Sequence, residues 1–195
     1  MDELNWGVLD LDYAQEAERI AARLREITAR TLHKRGLVVA ISGGVDSSVC
    51  AALAVKALGA ERVYTLILPE RDSADASADN AHILADHLGV RAETFDIAPA
   101  LAAIGCYRAR DEAVRRVLPE YADDWRMKIA IAGGLDGRIN HFNLIAQAPD
   151  GTLHEKPLGL SEYLQIVAAT SFKQRLRKTL EYYHADRLNY AVVGT

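Results

Sequence analysis

The chain has 195 residues, of which 50% are hydrophobic and 26% charged, with a formal net charge of −4. This is globular composition with enough chain for one buried core, and it excludes disordered and fibrous classes. The mild acidity argues against a general nucleic-acid binder, the two cysteines (Cys50 and Cys106) exclude a disulfide scaffold or a CxxC zinc site, and no apolar run approaches the roughly 18 residues of a membrane span.

The acidic start, Met1 to Trp6, lacks the basic stretch of a signal peptide, so the cytoplasm is the expected location. Asp12 to His33 reads as an amphipathic helix, with Ala17, Ile20, Ala21, Leu24 and Ile27 at three- and four-residue steps. Leu37 to Ile41 is short, apolar and not alternating, which suits a strand buried on both faces of a parallel sheet. The polar loop Ser42-Gly43-Gly44-Val45-Asp46-Ser47-Ser48 follows, then a helix to about Leu58 closed by Gly59. The unit repeats as a strand over Val63–Leu68, a helix over Ser73–Leu88 ended by Gly89, and a strand over Ala92–Ile97. This alternation predicts an α/β fold, a Rossmann-like parallel sheet with helices on both faces.

Beyond it the pattern loosens. Tyr107–Val117 and Tyr121–Ala132 read as helices, Gly133–Gly137 as a break, and Phe142–Ala148 with Thr152–Leu158 as a small hairpin around Asp150-Gly151. Residues 105–160 are therefore expected to form an insertion. A long helix from Ser161 to about Ala185 and a strand from Asn189 to Val193 complete the chain.

The loop after the first strand carries the clearest chemistry. Adjacent glycines let the backbone turn tightly and approach an anion. The helix that follows offers unpaired N–H groups and its positive dipole end. Ser42, Ser47 and Ser48 add hydroxyls. Asp46 alone would repel phosphate, but it suits a magnesium ion that bridges phosphates. The common P-loop is excluded, because it needs a Lys before the Ser/Thr. Each glycine or serine taken singly fits a plain strand-to-helix connection equally well; the whole string in this frame favours phosphate. On the last helix, Lys173, Arg177 and Glu181 share one face and Arg175 lies about 200° around from Lys173. Such a run suits a pyrophosphate, or simply a solvated basic face.

The loop resembles the SGGxDS loop of the N-type ATP pyrophosphatases, enzymes that split ATP between its α- and β-phosphates and adenylate a carboxylate or carbonyl. Ser171-Phe172-Lys173-Gln174-Arg175-Leu176-Arg177-Lys178 and the ending Val192-Val193-Gly194-Thr195 are similar to the NIKAR-x-R-M helix and VVGT strand of NAD synthetases. Ser171 and Lys178 depart from that pattern, which usually has Asn and Met there. The resemblance is to the ammonia-dependent NAD synthetase family.

It implies an adenine nucleotide alpha hydrolase-like fold and an ATP-dependent amide ligase that adenylates deamido-NAD and amidates it with ammonia, giving NAD, AMP and pyrophosphate. It assigns ATP to Ala40, Ile41, Ser42, Gly43, Gly44, Val45, Asp46, Ser47, Ser48, Leu68 and Thr195, Mg²⁺ to Asp46, and deamido-NAD to Lys173 and Arg175. It calls for no nucleophilic side chain and implies a homodimer. In that family the VVGT strand is followed by Asn and a metal-binding Glu, so the chain is expected to be a single domain lacking its C-terminal part, with little synthetase activity alone. Two alternatives are another adenylating enzyme of the same fold, with Cys106 as a sulfur-transfer candidate, and a non-catalytic ATP-binding module.

Overall fold

Asp12 starts the first helix by accepting hydrogen bonds from the amides of Ala14 and Gln15 at 3.1 and 3.0 Å. The structure is a computed structural model that describes residues 10–132 and 141–194. In chain order the elements are α1 (Tyr13–Glu26), with a π-helical continuation over Ile27–Thr31, then β1 (Leu37–Ala40), α2 (Val45–Leu58), β2 (Val63–Ile67), α3 (Asp75–Leu88) and β3 (Arg91–Thr94). They continue as α4 (Ala98–Ala103), α5 (Cys106–Val117), β4 (Arg126–Ala132), β5 (His141–Gln147), β6 (Leu153–Pro157), α6 (Leu160–Leu188) and β7 (Ala191–Val193).

The described residues fall into two compact units. One holds residues 10–69, 73–96 and 179–194; the other holds 70–72, 97–132 and 141–178. The first is a four-stranded parallel sheet in the order β3-β2-β1-β7, which is the Rossmann-like α/β arrangement expected. β2 is buried along its whole length and β1 along all but its last residue, and this explains their unbroken apolar sequences. Side chains alternate across the sheet. Leu37, Val39, Ile41, Val63 and Ile67 join a core with Ala21 of α1, Ala51 and Ala54 of α2 and Ala81 of α3. Val38, Tyr64 and Leu66 turn to the opposite face and are equally buried. Each large side chain hidden there contributes about 1.5–3 kcal/mol.

The second unit is built differently. β4, β5 and β6 form an antiparallel meander, and Leu144 and Ala146 of β5 pack with Val114 of α5, Leu118, Tyr121 and Ile166 of α6. The expected hairpin is present, with Gly151 at φ +88° and the Asp150 carboxylate accepting from the Thr152 amide at 2.9 Å. A helix over Tyr121–Ala132 is not: Arg126–Ala132 is strand β4. Met127 and Ile129 alternate with Arg126 and Lys128, a period of two that matches one half-buried face, while Ile131 further along is exposed. The proposed break at Gly133–Gly137, like Trp6 and Thr195, lies outside the described residues. Trp125 packs as an anchor, its ring 6.0 Å from Tyr121 and 5.0 Å from His154.

α6 contributes Ile166 and Ala169 to one unit and His184 and Ala185 to the other. A helix that serves two cores along its length shows no single apolar stripe in its sequence. In the first unit His184 is 3% exposed and its ring stacks on Tyr64 at 5.2 Å and lies 5.2 Å from Phe95. Its Nδ1 accepts from Arg187 Nε at 3.1 Å, while Arg187 Nη2 donates to the Tyr64 hydroxyl at 2.9 Å. Burial, and then the Arg187 charge, hold the imidazole below its ordinary pKa, against the opposing pull of Glu93. The unfolded chain therefore takes up this proton at a higher pH than the folded chain does. The stabilisation is complete above the unfolded value of about 6.5 and is lost as the pH falls below it. We expect the melting temperature to fall between pH 7 and pH 5, and His184→Phe to flatten that limb. An unchanged slope in the variant would assign the loss to other groups.

Candidate functional site

Ile41 extends the ladder of β1 by one bond, its amide donating to Leu66 O at 2.9 Å. The chain then leaves the sheet through Ser42 and Gly43. Gly43 sits at φ +76°, a region that L side chains rarely adopt. A Cβ there would meet Ser77 O of α3 at 2.4 Å and Asn80 Cβ at 3.0 Å. Gly44 is extended at φ −87° and serves as N-cap of α2 without a side-chain cap. The amides of Val45, Asp46 and Ser47 in the first turn of α2 have no intrahelical acceptors, and Asp46 is exposed.

The serine hydroxyls are used inside the loop. Ser47 Oγ, on a side chain that is 4% exposed, accepts from the Ser42 amide at 3.1 Å and donates to Gly44 O at 3.1 Å. Ser42 Oγ lies 3.1 Å from Ser47 Oγ, and Ser48 Oγ donates to Gly44 O at 2.8 Å. With Ser47's only proton on Gly44 O, the shared bond is donated by Ser42. The hydroxyls read from sequence as phosphate donors thus brace the turn, and the donors it presents are backbone N–H groups.

Ala40, Ile41 and Ser42 to Ser48 cluster at the carboxyl end of β1, and Leu68, 6% exposed, lies just beyond β2. β7 runs beside β1, pairing Val193 with Val39, and the Cys50 thiol approaches Gly194 O at 3.9 Å. The C-terminal end of β7 is therefore brought to α2, directly behind the loop. All these residues belong to the first unit. Among the described residues no cluster of three His, Cys, Asp or Glu could hold a metal. Asp46 offers a single exposed carboxylate, which is the donor set of a magnesium ion whose other ligands are phosphate oxygens and water.

Lys173 and Arg175 belong to the second unit and differ in surroundings. Arg175 is exposed. The Lys173 side chain is 12% exposed, and its Nζ donates to Glu70 Oε1 at 3.0 Å and Asp72 Oδ2 at 2.6 Å. These bonds are part of a network the sequence does not announce. Arg110 pairs with Asp72 and, at 2.7 Å, with Asp111 Oδ1. Arg71 reaches Asp72 at 3.2 Å and Asp111 at 3.4 Å, and its guanidinium lies 4.0 Å over the Tyr107 ring. The Tyr107 hydroxyl donates to Glu70 Oε2 at 3.0 Å and accepts from the Arg71 amide at 3.2 Å.

Burial would raise the Asp72 carboxyl, but Lys173 and Arg110 outweigh it and hold its pKa at about 2. Burial likewise opposes the charge on Arg110, which Asp72 and Asp111 more than restore. Arg110 and Asp111, although charged, are 6% and 3% exposed. They share the buried side of α5 with Tyr107 and Val114 at helical spacing, a signal in the sequence masked by their charge. Cys106 is 1% exposed with its thiol donating to Ala169 O at 3.3 Å, and burial pushes its pKa up against the pull of Lys173 and Arg110. It is a packed hydrophobe, not a reactive thiol.

Sheet order and the loop after β1 define a Rossmann-like domain of the adenine nucleotide alpha hydrolase-like fold. Two solved structures share that fold. The ammonia-dependent NAD synthetase of Campylobacter jejuni superposes with a TM-score of 0.60 at 19% identity, over 95% of this chain and 57% of that one. The NAD+ synthetase of Burkholderia pseudomallei gives 0.57 at 22% identity, over 95% of this chain and 63% of that one.

Sequence comparison is more specific. The profile of the NAD synthase family matches residues 16–132, and the chain belongs to that family. It is 50% identical over 188 residues to an NH(3)-dependent NAD(+) synthetase of Rhizobium meliloti, covering 96% of this chain and 56% of that protein. A Thermotoga maritima protein of the same name is 39% identical over 163 residues, 83% of this chain and 52% of its own length. The chain thus spans a little over half the length of these curated relatives.

The two loop glycines should respond differently to substitution. Gly43→Ala meets both the left-handed backbone and the α3 carbonyl, and should cost about 1–3 kcal/mol in urea unfolding. Gly44→Ala has only Ser42 Oγ nearby, at 3.4 Å, and should cost about 1 kcal/mol or less. Equal losses would show that the loop backbone is not set by Gly43.

Proposed function

We propose that this chain provides the ATP-binding part of an ammonia-dependent NAD synthetase. In this reading a carboxylate oxygen of deamido-NAD attacks the α-phosphorus of ATP. The bond to the β-phosphate breaks, pyrophosphate leaves, and a mixed anhydride with AMP remains. Ammonia then attacks the activated carbonyl, AMP departs, and a proton passes to solvent, leaving NAD. The observation that carries the reading is the loop of Ser42–Ser48 in a chain of the NAD synthase family.

The same reading gives each residue its role. Loop and first-turn amides of α2 bind and orient the β- and γ-phosphates and take up charge as pyrophosphate forms. Asp46 holds Mg²⁺, which supplies further charge neutralisation when bound. Ala40, Ile41 and Leu68 line the strand ends toward the nucleotide, with Thr195 next in the chain after Gly194. Arg175, exposed on α6, contacts the deamido-NAD pyrophosphate. No side chain serves as nucleophile. A thiolating enzyme is not favoured, since its candidate sulfur, Cys106, is buried.

The same proposal takes residues 105–160 as an insertion in one N-type ATP pyrophosphatase domain. It places the enzyme in the cytoplasm, in keeping with two free cysteines, and no described helix is long and apolar enough to cross a membrane. It also makes the protein a homodimer, supported by Leu160, Leu164 and Val167, which stand 73%, 53% and 40% exposed at helical spacing on α6. Sedimentation should then give twice the 21.4 kDa chain mass.

ATP with Mg²⁺ should raise the melting temperature, by about 2.7 kcal/mol of stabilisation at a hundred times its dissociation constant. Asp46→Asn should abolish the part of that rise that depends on Mg²⁺. No rise in the wild-type protein would sink the reading.

A further inference from the structure

Lys173 is one of two residues for which family resemblance implies contact with the dinucleotide, yet its surroundings point elsewhere. Its side chain is 12% exposed, and both of its ion-pair partners, Glu70 and Asp72, lie in the three residues that directly follow Pro69 at the end of the β2 connection. Of its two acceptors, the Glu70 side chain is 5% exposed and so held out of water, while Asp72 is partly open at 33%. Three carboxylates (Glu70, Asp72, Asp111) meet three cations (Arg71, Arg110, Lys173), and Tyr107 joins both sides by giving its proton to Glu70 and accepting from the Arg71 amide. Removing Lys173 takes one cation from both Glu70 and Asp72, and Glu70 is buried, where the loss of a charge partner is costly.

We propose that Lys173 is a positioning residue that clamps the segment Glu70–Arg71–Asp72 to α6, and not a cation that faces the dinucleotide. Leu68 and Pro69 run in sequence directly into the clamped segment, so the effect is expected on ATP and not on deamido-NAD. The inference rests on the proposed function through the assignment of Leu68 to the nucleotide. A lysine that touched deamido-NAD would have to leave two short charge-assisted bonds and expose two carboxylates to an anionic ligand. Arg175, two residues on, is exposed.

The two roles predict opposite patterns in a neutralising pair. In Lys173→Met the melting temperature should fall by about 5–10 °C, and the affinity for ATP·Mg should fall roughly tenfold. The double variant Glu70→Gln/Lys173→Met removes one charge of each sign and keeps an acceptor for Tyr107. It should recover most of both losses. Calorimetric titration of the full chain with ATP·Mg and with deamido-NAD, beside thermal melts of the same samples, reads all of these quantities. The proposal is overturned if Lys173→Met weakens deamido-NAD alone, or if the double variant regains its melting temperature but not its ATP affinity. It is also overturned if the two substitutions are simply additive in the melts. Should the wild-type protein bind neither ligand, the functional reading fails by itself, while the melts still report on the clamp.

Discussion

One close approach shapes the ligand-facing end of the sheet. The backbone of Gly43 runs so near α3 that a Cβ would lie 2.4 Å from Ser77 O, and the residue is held at positive φ. That contact forces the chain to turn immediately after β1, and the turn delivers Gly44 as the N-cap of α2. Ser47 completes it from within, binding both Ser42 and Gly44. The helix therefore begins with its amides open and its acidic residue outside. A polyphosphate needs that arrangement: preset donors, no reorganisation, and one carboxylate for the metal. α3 is thus part of the site, although none of its residues need touch a ligand.

The second unit handles charge in the opposite way. The loop spends its serine hydroxyls on itself and keeps only first-turn amides of α2 for a ligand, whereas the cluster around Tyr107 pairs carboxylate against cation, with the Asp72 pKa held at about 2. Cations already paired with carboxylates make a poor anion trap and a good clamp. This is why two basic residues of one helix motif, Lys173 and Arg175, separate into an enclosed member and an exposed one. Motif spacing places both on α6; the partners of each decide what it can do.

Much of the first unit was legible in the sequence. Unbroken apolar runs at Leu37–Ile41 and Val63–Leu68 announced strands buried on both faces, and the glycine pair between strand and helix announced the turn. What the sequence hid depends on distance along the chain or on mixed signals. Lys173 and Glu70 are 103 residues apart, so no local pattern joins them. Arg110 and Asp111 look solvated because charge is the usual mark of an outer face, yet each is buried beside the other. β4 reads as helix in sequence because Met127 and Ile129 follow a helical-looking stretch from Tyr121, and only their alternation with Arg126 and Lys128 marks the strand. In sequence the serine hydroxyls of the loop read as donors for phosphate. Their inward bonds follow from burial of Ser47, a tertiary fact.

The central claim is that the loop grips phosphate through its backbone. Amide resonances of the isotopically labelled protein, followed as ATP and Mg²⁺ are added, test it residue by residue. The N–H signals of Gly43, Gly44, Val45, Asp46, Ser47 and Ser48 should move together and saturate at one concentration, ahead of the rest of α2. Saturable shifts elsewhere with these six signals unmoved would contradict the account.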